Sequence, residues 1–448
     1  MAKMILNQKY EKFIIWLSYF SILSLIAIFV RDIAGQPNSF VSIEEIMSSS
    51  SLGDPVSFLT AAIDIAKHGW VSPENAWILN LWPPGFILLQ SSLIKLFGID
   101  APILLFLQLI ASCLFAYVLL EFFYFSSRIL KGNRLFSFTV PLVIFCFPVA
   151  RVFLLQPTGV SLGESFAISF FLLAFFQLFK EPRKCLWGHS IISGLFLALS
   201  AYFRSQFEFI VLMLSAWLLV FYLFSKIGLI KKISQKSNLT FYKNMLIALT
   251  VAHVLMLPWR TYHYVEQGMP AWVSTILVTM DNSVMTTSYL KEHHGEFVVE
   301  GGGNLVCRID KTTCGDREHA RKLFFKTLLT NPIAWYKVKL GIVGKYWFSS
   351  IENWSAATIR PKLADYLFNS IILFMLIGSI AHLFLGSEWC KDNKLIFIYI
   401  YATFFSAYFI IFTIQQYEVR YFYFPKIMII VMSLLQISMF KSNHKCRC

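Results

Sequence analysis

The chain has 448 residues, of which 57% are hydrophobic, 17% aromatic and only 14% charged, with a mean hydropathy of +0.63. Soluble globular domains carry about 25% charged and about 45–50% apolar residues, so this composition excludes a soluble enzyme, a coiled coil and a disordered protein. The net charge of +14 lies in short basic clusters between apolar runs, a signal of membrane topology and not of nucleic-acid binding.

Lys3, Lys9 and Lys12 precede an apolar run over 13–30 that is too long for the hydrophobic part of a signal peptide and lacks a small-residue cleavage site. It reads as an uncleaved first span with the N-terminus inside. A span needs about 20 largely apolar residues. Further candidates follow at 101–124, 136–155, 161–179, 187–204, 207–224, 244–259, 363–386, 395–414 and 421–440. The expectation is an all-α polytopic membrane protein with about ten transmembrane helices. Threading them from an inside N-terminus gathers every basic connection on one side. These are Arg128/Lys131/Arg134, Lys180/Arg183/Lys184, the lysines of 226–243, Lys391/Lys394 and the Lys441–Arg447 tail.

The apolar segment 86–97 is short and contains Lys95, so it reads as a helix lying at the outer interface. Counting it as a span would invert everything after it. Two hydrophilic regions then face outward, 31–99 and 260–362, the second long enough for a small folded element. Within it PIAWYKVKLGIVGKYWF (332–348) mixes aromatic and lysine residues as interfacial helices do. Three units are expected: an N-terminal membrane module over 1–259 that includes the first outer loop, the outer region 260–362, and a three-span module over 363–448.

Ionisable side chains fall at the outer ends of the spans: Asp54, Asp64 and His68 in the first loop, then Glu164, Arg204, Glu208, Arg260, His263, Glu418 and Arg420. Transporters place such groups near the midplane of broken helices, and here only Glu121 and His253 lie well inside apolar runs. The pattern points to a site at the outer membrane surface. Each residue also has a structural reading. Asp54 can serve as the cap of the helix that Pro55 begins, Glu164 as a carboxylate at a helix start, and the arginines as side chains snorkelling to headgroups. Cys307 and Cys314 share a hydrophilic loop and can form a disulfide in an oxidising compartment. No cysteine or histidine spacing suits zinc. His293, His294 and Glu296 read as a solvated loop, and Gly301–Gly302–Gly303 as a turn.

Five segments together are informative. GDPVSFLTAAIDIAKHGW (53–70) is followed by PPGFILLQSSLIKLFG (83–98), GVSLGESFAISFFLLAF (159–175), LPWRTYHYVEQGMPAWVST (257–275) and EVRYFYFP (418–425). Their order and their positions relative to the spans resemble GT-C membrane glycosyltransferases. These enzymes depend on polyprenyl-phosphate sugars and include the protein O-mannosyltransferases and the lipid A aminoarabinose transferases. The resemblance implies Asp54 as general base and Glu164 as a group that positions the acceptor or a water. It implies Arg204, Arg260 and Arg420 for the donor phosphate, and His68, Trp82, His263 and Tyr421 around the sugar or acceptor. Many relatives carry an acid and a lysine just before the paired prolines, used for the phosphate and sometimes a divalent metal. Here those positions are Leu81 and Trp82, so no cofactor is assigned.

The implied partners are a polyprenyl-phosphate-linked sugar, a glycan or lipid acceptor and membrane lipids, with no nucleic acid. The implied location is a bacterial inner membrane with both termini cytoplasmic and the site periplasmic. An O-antigen polymerase or ligase, or a flippase for lipid-linked glycans, would share the many spans and the outer arginines. Neither explains the Asp54 helix together with the proline pair.

Overall fold

The computed structural model describes residues 2–33, 40, 42–48, 53–129, 133–146, 161–180, 187–227, 236–268, 287–293, 296–301, 317–348, 363–385, 394–414 and 419–444. The chain is mainly helical. In order come α1 (Ala2–Ile33), α2 (Ile43–Ser48), α3 (Gly53–His68), α4 (Ala76–Leu81), α5 (Pro84–Phe97), α6 (Ile103–Ile129) and α7 (Arg134–Cys146). Then follow α8 (Ser161–Lys180), α9 (Trp187–Phe203), α10 (Ser205–Lys226) and α11 (Lys236–Gln267). After an antiparallel hairpin of β1 (Thr287–His293) and β2 (Glu296–Gly301) come α12 (Arg317–Thr330), α13 (Pro332–Trp347), α14 (Leu363–Leu385), α15 (Lys394–Ile414) and α16 (Tyr423–His444). The hairpin departs from the all-helical expectation; His293 pairs with Glu296 and Thr287 with Gly301.

Among the described residues, five helices are long and apolar enough to cross a membrane: those over Ile103–Ser127, Ser205–Lys226, Leu239–Glu266, Asp365–Phe384 and Lys394–Ile414. Shorter apolar stretches lie at Pro84–Phe97, Gly163–Phe179, Trp187–Phe203 and Tyr423–Ile437. Chains of this kind are stable only embedded in a bilayer, where helices satisfy their own backbone hydrogen bonds.

Aromatic packing fixes α8 at the centre. Phe171 meets Phe207 of α10, Phe404 of α15 and Phe424 of α16, with ring centres 5.5, 5.9 and 5.0 Å apart. Further along, Phe176 meets Phe122 and Phe125 of α6, and Phe179 meets Phe241 of α11 and Phe397 of α15. A helix apolar on every side has no solvent face to offer and is buried on all of them.

α9 packs by a different device. Its buried face carries Ser190, Ser193, Gly194, Ala198 and Ala201, small side chains that let backbones approach. At Gly194 a β-carbon would lie 2.5 Å from the carbonyl oxygen of Ala248 and 2.6 Å from Cβ of Val251, both on α11. A Gly194→Ala variant is expected to lose about 1–3 kcal/mol, because a backbone oxygen cannot turn aside as a side chain can. The measurement is the thermal midpoint in detergent, and a midpoint equal to wild type would contradict the contact.

Pro84 opens α5 and Gly98, at φ +87°, closes it after 14 residues. At 1.5 Å per residue that is about 21 Å, short of the roughly 30 Å hydrocarbon core. Its buried side rests on α3 and α9, where Gly85 would place a β-carbon 2.7 Å from the carbonyl oxygen of Tyr202. α13 lies across the bundle end formed by the start of α14, the end of α15 and the start of α16. Trp347 Nε1 donates to the carbonyl of Asn369, Tyr336 stacks on Phe409, and Lys426 Nζ donates to the Trp347 carbonyl at 2.7 Å. Burial against Trp335 pushes the Lys339 ammonium of α13 down to about 7.

Candidate functional site

α9 and α10 are joined without a loop. Ser200 accepts from the Arg204 backbone N–H, ending α9, and the Arg204 carbonyl accepts from Phe207, starting α10. Arg204 itself is the single extended residue between them, at φ −150° and ψ 125°. From this corner its guanidinium reaches Oε1 of Glu164 at 2.9 Å. Glu164 stands in the first turn of α8, where the helix dipole favours a carboxylate, and is 2% exposed. The Arg204 side chain keeps 13% of its surface open.

The proline-pair segment packs beside the start of α8. A β-carbon at Gly163 would lie 3.7 Å from Cδ of Arg204 and 3.8 Å from Cβ of Phe86. Phe86 contacts Phe166 and Phe58, and Phe58 of α3 also takes the edge of Trp82 at 4.9 Å. Trp82 thus belongs to an apolar wall and also meets Trp77. Asp54 precedes Phe58 by one helical turn of α3. Its side chain lies outside the described residues, as does that of Arg420.

One turn beyond Arg204, Glu208 forms a second buried pair. Arg260 Nε donates to Glu208 Oε1 at 2.7 Å, and both side chains are 3% exposed. Arg260 Nη1 donates to His253 Nδ1 at 3.0 Å, and Nη2 faces the Met256 sulfur at 3.9 Å. Because a guanidinium only donates, His253 Nδ1 is the acceptor and the ring proton sits on Nε2. That N–H donates to Ser215 Oγ at 2.9 Å, and the Ser215 hydroxyl donates to the Val211 carbonyl at 3.0 Å. Arg260 therefore ends an ordered chain running from α11 into α10. The cavity beside it, lined by Tyr202, Glu208, Met256, Trp259 and Arg260, is about 10 Å³, room for one water and not for a sugar.

The remaining expected residues are more dispersed. His263 is fully buried, packed edge-on against Trp259 and Tyr262. Among the described residues its two ring nitrogens make no hydrogen bond, nor does the buried Trp259 indole N–H. Tyr262 in turn meets Trp70, which ties the segment after α3 to the end of α11. His68 is exposed at the end of α3. Nearby Asp64 is a structural clamp: it accepts from the Ser72 backbone and hydroxyl and from the Asn75 amide at 2.6–3.1 Å. Partial burial alone would raise its carboxyl, but these hydrogen bonds, with the His68 charge, together hold it below the ordinary carboxylate range.

Tyr421 lies in the 3-10 turn Val419–Phe422 that leads into α16, whose Phe424 touches Phe171 and Phe207. Cys307 and Cys314 lie outside the described residues. Among the described residues no three histidine, cysteine or acidic side chains cluster with metal-binding geometry.

The structure thus brings Glu164, Arg204, Glu208 and Arg260 to one end of the bundle, beside α3 and α5, but as two separate ion pairs. Ser215 and Met256 are members the sequence did not single out. The usable signal was helical spacing: Met256 and His253 precede Arg260 by four and seven residues, on one face of α11. Comparison with protein-family models finds no match, and comparison with curated proteins finds none, so the site rests on its own geometry.

Proposed function

We propose that this chain is an integral-membrane glycosyltransferase of GT-C type. It moves a sugar from a polyprenyl-phosphate carrier to an acceptor such as lipid A, O-antigen or another surface glycan. The reading takes the chain as ten spans with both termini cytoplasmic in a bacterial inner membrane and with the reaction on the periplasmic face. The observation that carries it is the buried Glu164–Arg204 pair at the start of α8, where Phe86 of the proline-pair segment packs on Phe166, one turn from Glu208–Arg260.

In this reading Asp54 takes the proton of the acceptor hydroxyl, whose oxygen forms the new bond to the sugar C1. The C1–O bond to phosphate breaks on the opposite face, inverting the configuration, and polyprenyl phosphate leaves with two negative charges to be stabilised. Arg204, the more open of the two described arginines, takes that charge, with Arg420 from the start of α16. Glu164 then turns from Arg204 toward the acceptor or a water. Arg260 acts as a positioning residue through Glu208. Trp82, His68, His263 and Tyr421 belong to the sugar and acceptor surroundings.

Purified protein in proteoliposomes is expected to release polyprenyl phosphate and glycosylate the acceptor extract, with loss of the same modification from a strain lacking the gene, both read by mass spectrometry. With Leu81 and Trp82 where relatives carry an acid and a lysine, the rate in excess EDTA is expected to equal the rate in magnesium. A chelator-sensitive rate would require a metal site elsewhere. Movement of intact lipid-linked sugar across the bilayer, with no new glycosidic bond, would establish a flippase instead.

A further inference from the structure

In the proposed reaction Glu164 leaves Arg204, and a buried carboxylate without its guanidinium needs another donor. The packing of α15 supplies one. α15 runs antiparallel to α8: Phe404 meets Phe171, and Phe397, two turns earlier on α15, meets Phe179, two turns later on α8. Following α15 onward from Phe404 therefore leads toward the start of α8. Tyr408 is one turn on, and Glu164 stands two turns before Phe171 on the same face of α8.

Tyr408 is 7% exposed, and its hydroxyl makes no hydrogen bond to any described residue. Its ring centre lies 6.4 Å from that of Phe424 and 5.4 Å from that of Phe412, which stacks on Phe422 at 4.7 Å. The phenol is thus lodged between α8 and the turn Val419–Phe422 that carries Arg420 and Tyr421. The Glu164 carboxylate acts electrostatically on this hydroxyl. Because the oxygen is enclosed by protein, the partner it can take is a side chain already inside. A phenol donates to a carboxylate oxygen, and the carboxylate keeps its second oxygen for another contact.

We propose that Tyr408 is the positioning residue that holds Glu164 when a lipid phosphate occupies Arg204; this rests on the assignment of Arg204 to the donor phosphate. In the resting protein Glu164 is paired with Arg204 at 2.9 Å. A polyprenyl phosphate brings a second anion to the same guanidinium. The Glu164 carboxylate then swings to Tyr408, whose O–H donates to one oxygen while the other faces the acceptor or a water. No covalent bond changes in this step. Without the hydroxyl the displaced carboxylate would stay buried with no donor, and the phosphate would have to compete with it for Arg204. The effect therefore falls on phosphate binding and not on proton transfer from the acceptor.

The test measures the dissociation constant of undecaprenyl phosphate, carrying no sugar, from the full chain in nanodiscs. Tyr408→Phe is expected to weaken binding about tenfold, the equivalent of one hydrogen bond to a charged group. The same variant should melt at or above the wild-type midpoint, because it removes a buried hydroxyl that no described residue satisfies. A merely structural Tyr408 would not show this split. In a Glu164→Gln background the substitution should change binding by no more than about twofold, since no carboxylate then needs holding. Equal binding by wild-type and Tyr408→Phe proteins, or a tenfold loss that persists in the Glu164→Gln background, would each overturn the assignment. Failure of the wild-type protein to bind undecaprenyl phosphate would overturn it together with the donor site. The tenfold difference in a protein that transfers no sugar would uphold Tyr408 and remove only the transferase reading.

Discussion

An Asp54→Asn variant is expected to reach the membrane in wild-type amounts and to transfer sugar at least about 10²-fold more slowly, the lower end of what a positioned general base contributes. Asparagine separates the two roles that the sequence allows for this residue. α3 begins at Gly53, so Asp54 sits in its first turn and is not the cap that the sequence suggested; a purely structural Asp54 would lose only the charge–dipole term, about 0.3–1 kcal/mol. Asparagine cannot accept a proton at neutral pH, so a catalytic Asp54 would lose the reaction. Measuring transfer and thermal midpoint on the same preparation decides between them. A fully active Asp54→Asn protein would move the base to another carboxylate, with Glu164 the next to test. Asp64→Asn is the matched control, since Asp64 binds Ser72 and Asn75 and would change stability more than turnover.

The second large effect is expected at Arg260. Arg260→Met leaves Glu208 buried at 2% exposure without its guanidinium, and breaking a buried pair in this way costs about 3–5 kcal/mol. The same change removes the donor to His253 Nδ1. Removing the second charge should restore most of the loss. A Glu208→Gln/Arg260→Met double variant is expected to melt near wild type, because the penalty comes from an uncompensated charge and not from an absent attraction. If the single variant melted like wild type, Glu208 would have to be solvated and the pair would not be buried. Activity of the stable double variant then measures what Arg260 contributes through Glu208.

The parts of the fold that depend on chemistry spread over many residues were legible. Runs such as Ile103–Ser127 and Lys394–Ile414 are apolar but for Glu121 and the terminal Lys394 among charged residues, and a bilayer accommodates them. The shortness of α5 was also legible, because Pro84, Lys95 and Gly98 bound it locally. The hairpin was not. Its strands, TSYLKEH and EFVVEG, are brief and mostly polar, and their pairing depends on a partner strand and not on periodicity.

The site divides in the same way. That Glu164, Arg204, Glu208 and Arg260 share one end of the bundle follows from counting spans. Which acid pairs with which arginine depends on the rotation of α8, α10 and α11 about their axes, and no local pattern encodes that. Arg204 meets Glu164 across 40 residues of sequence, and Arg260 meets Glu208 across 52.

At Gly85 and Gly194 a main-chain carbonyl oxygen of the neighbouring helix faces the glycine directly, so turning the adjacent Phe203 or Val251 side chain cannot by itself absorb a displacement. α5, α9 and α11 therefore behave as one splint, and Phe86, Arg204 and Arg260 are all mounted on it. An incoming molecule meets jaws of set width at that end. The size of group they admit is determined when the chain folds, and a single methyl added at either glycine would reset the gauge from a distance.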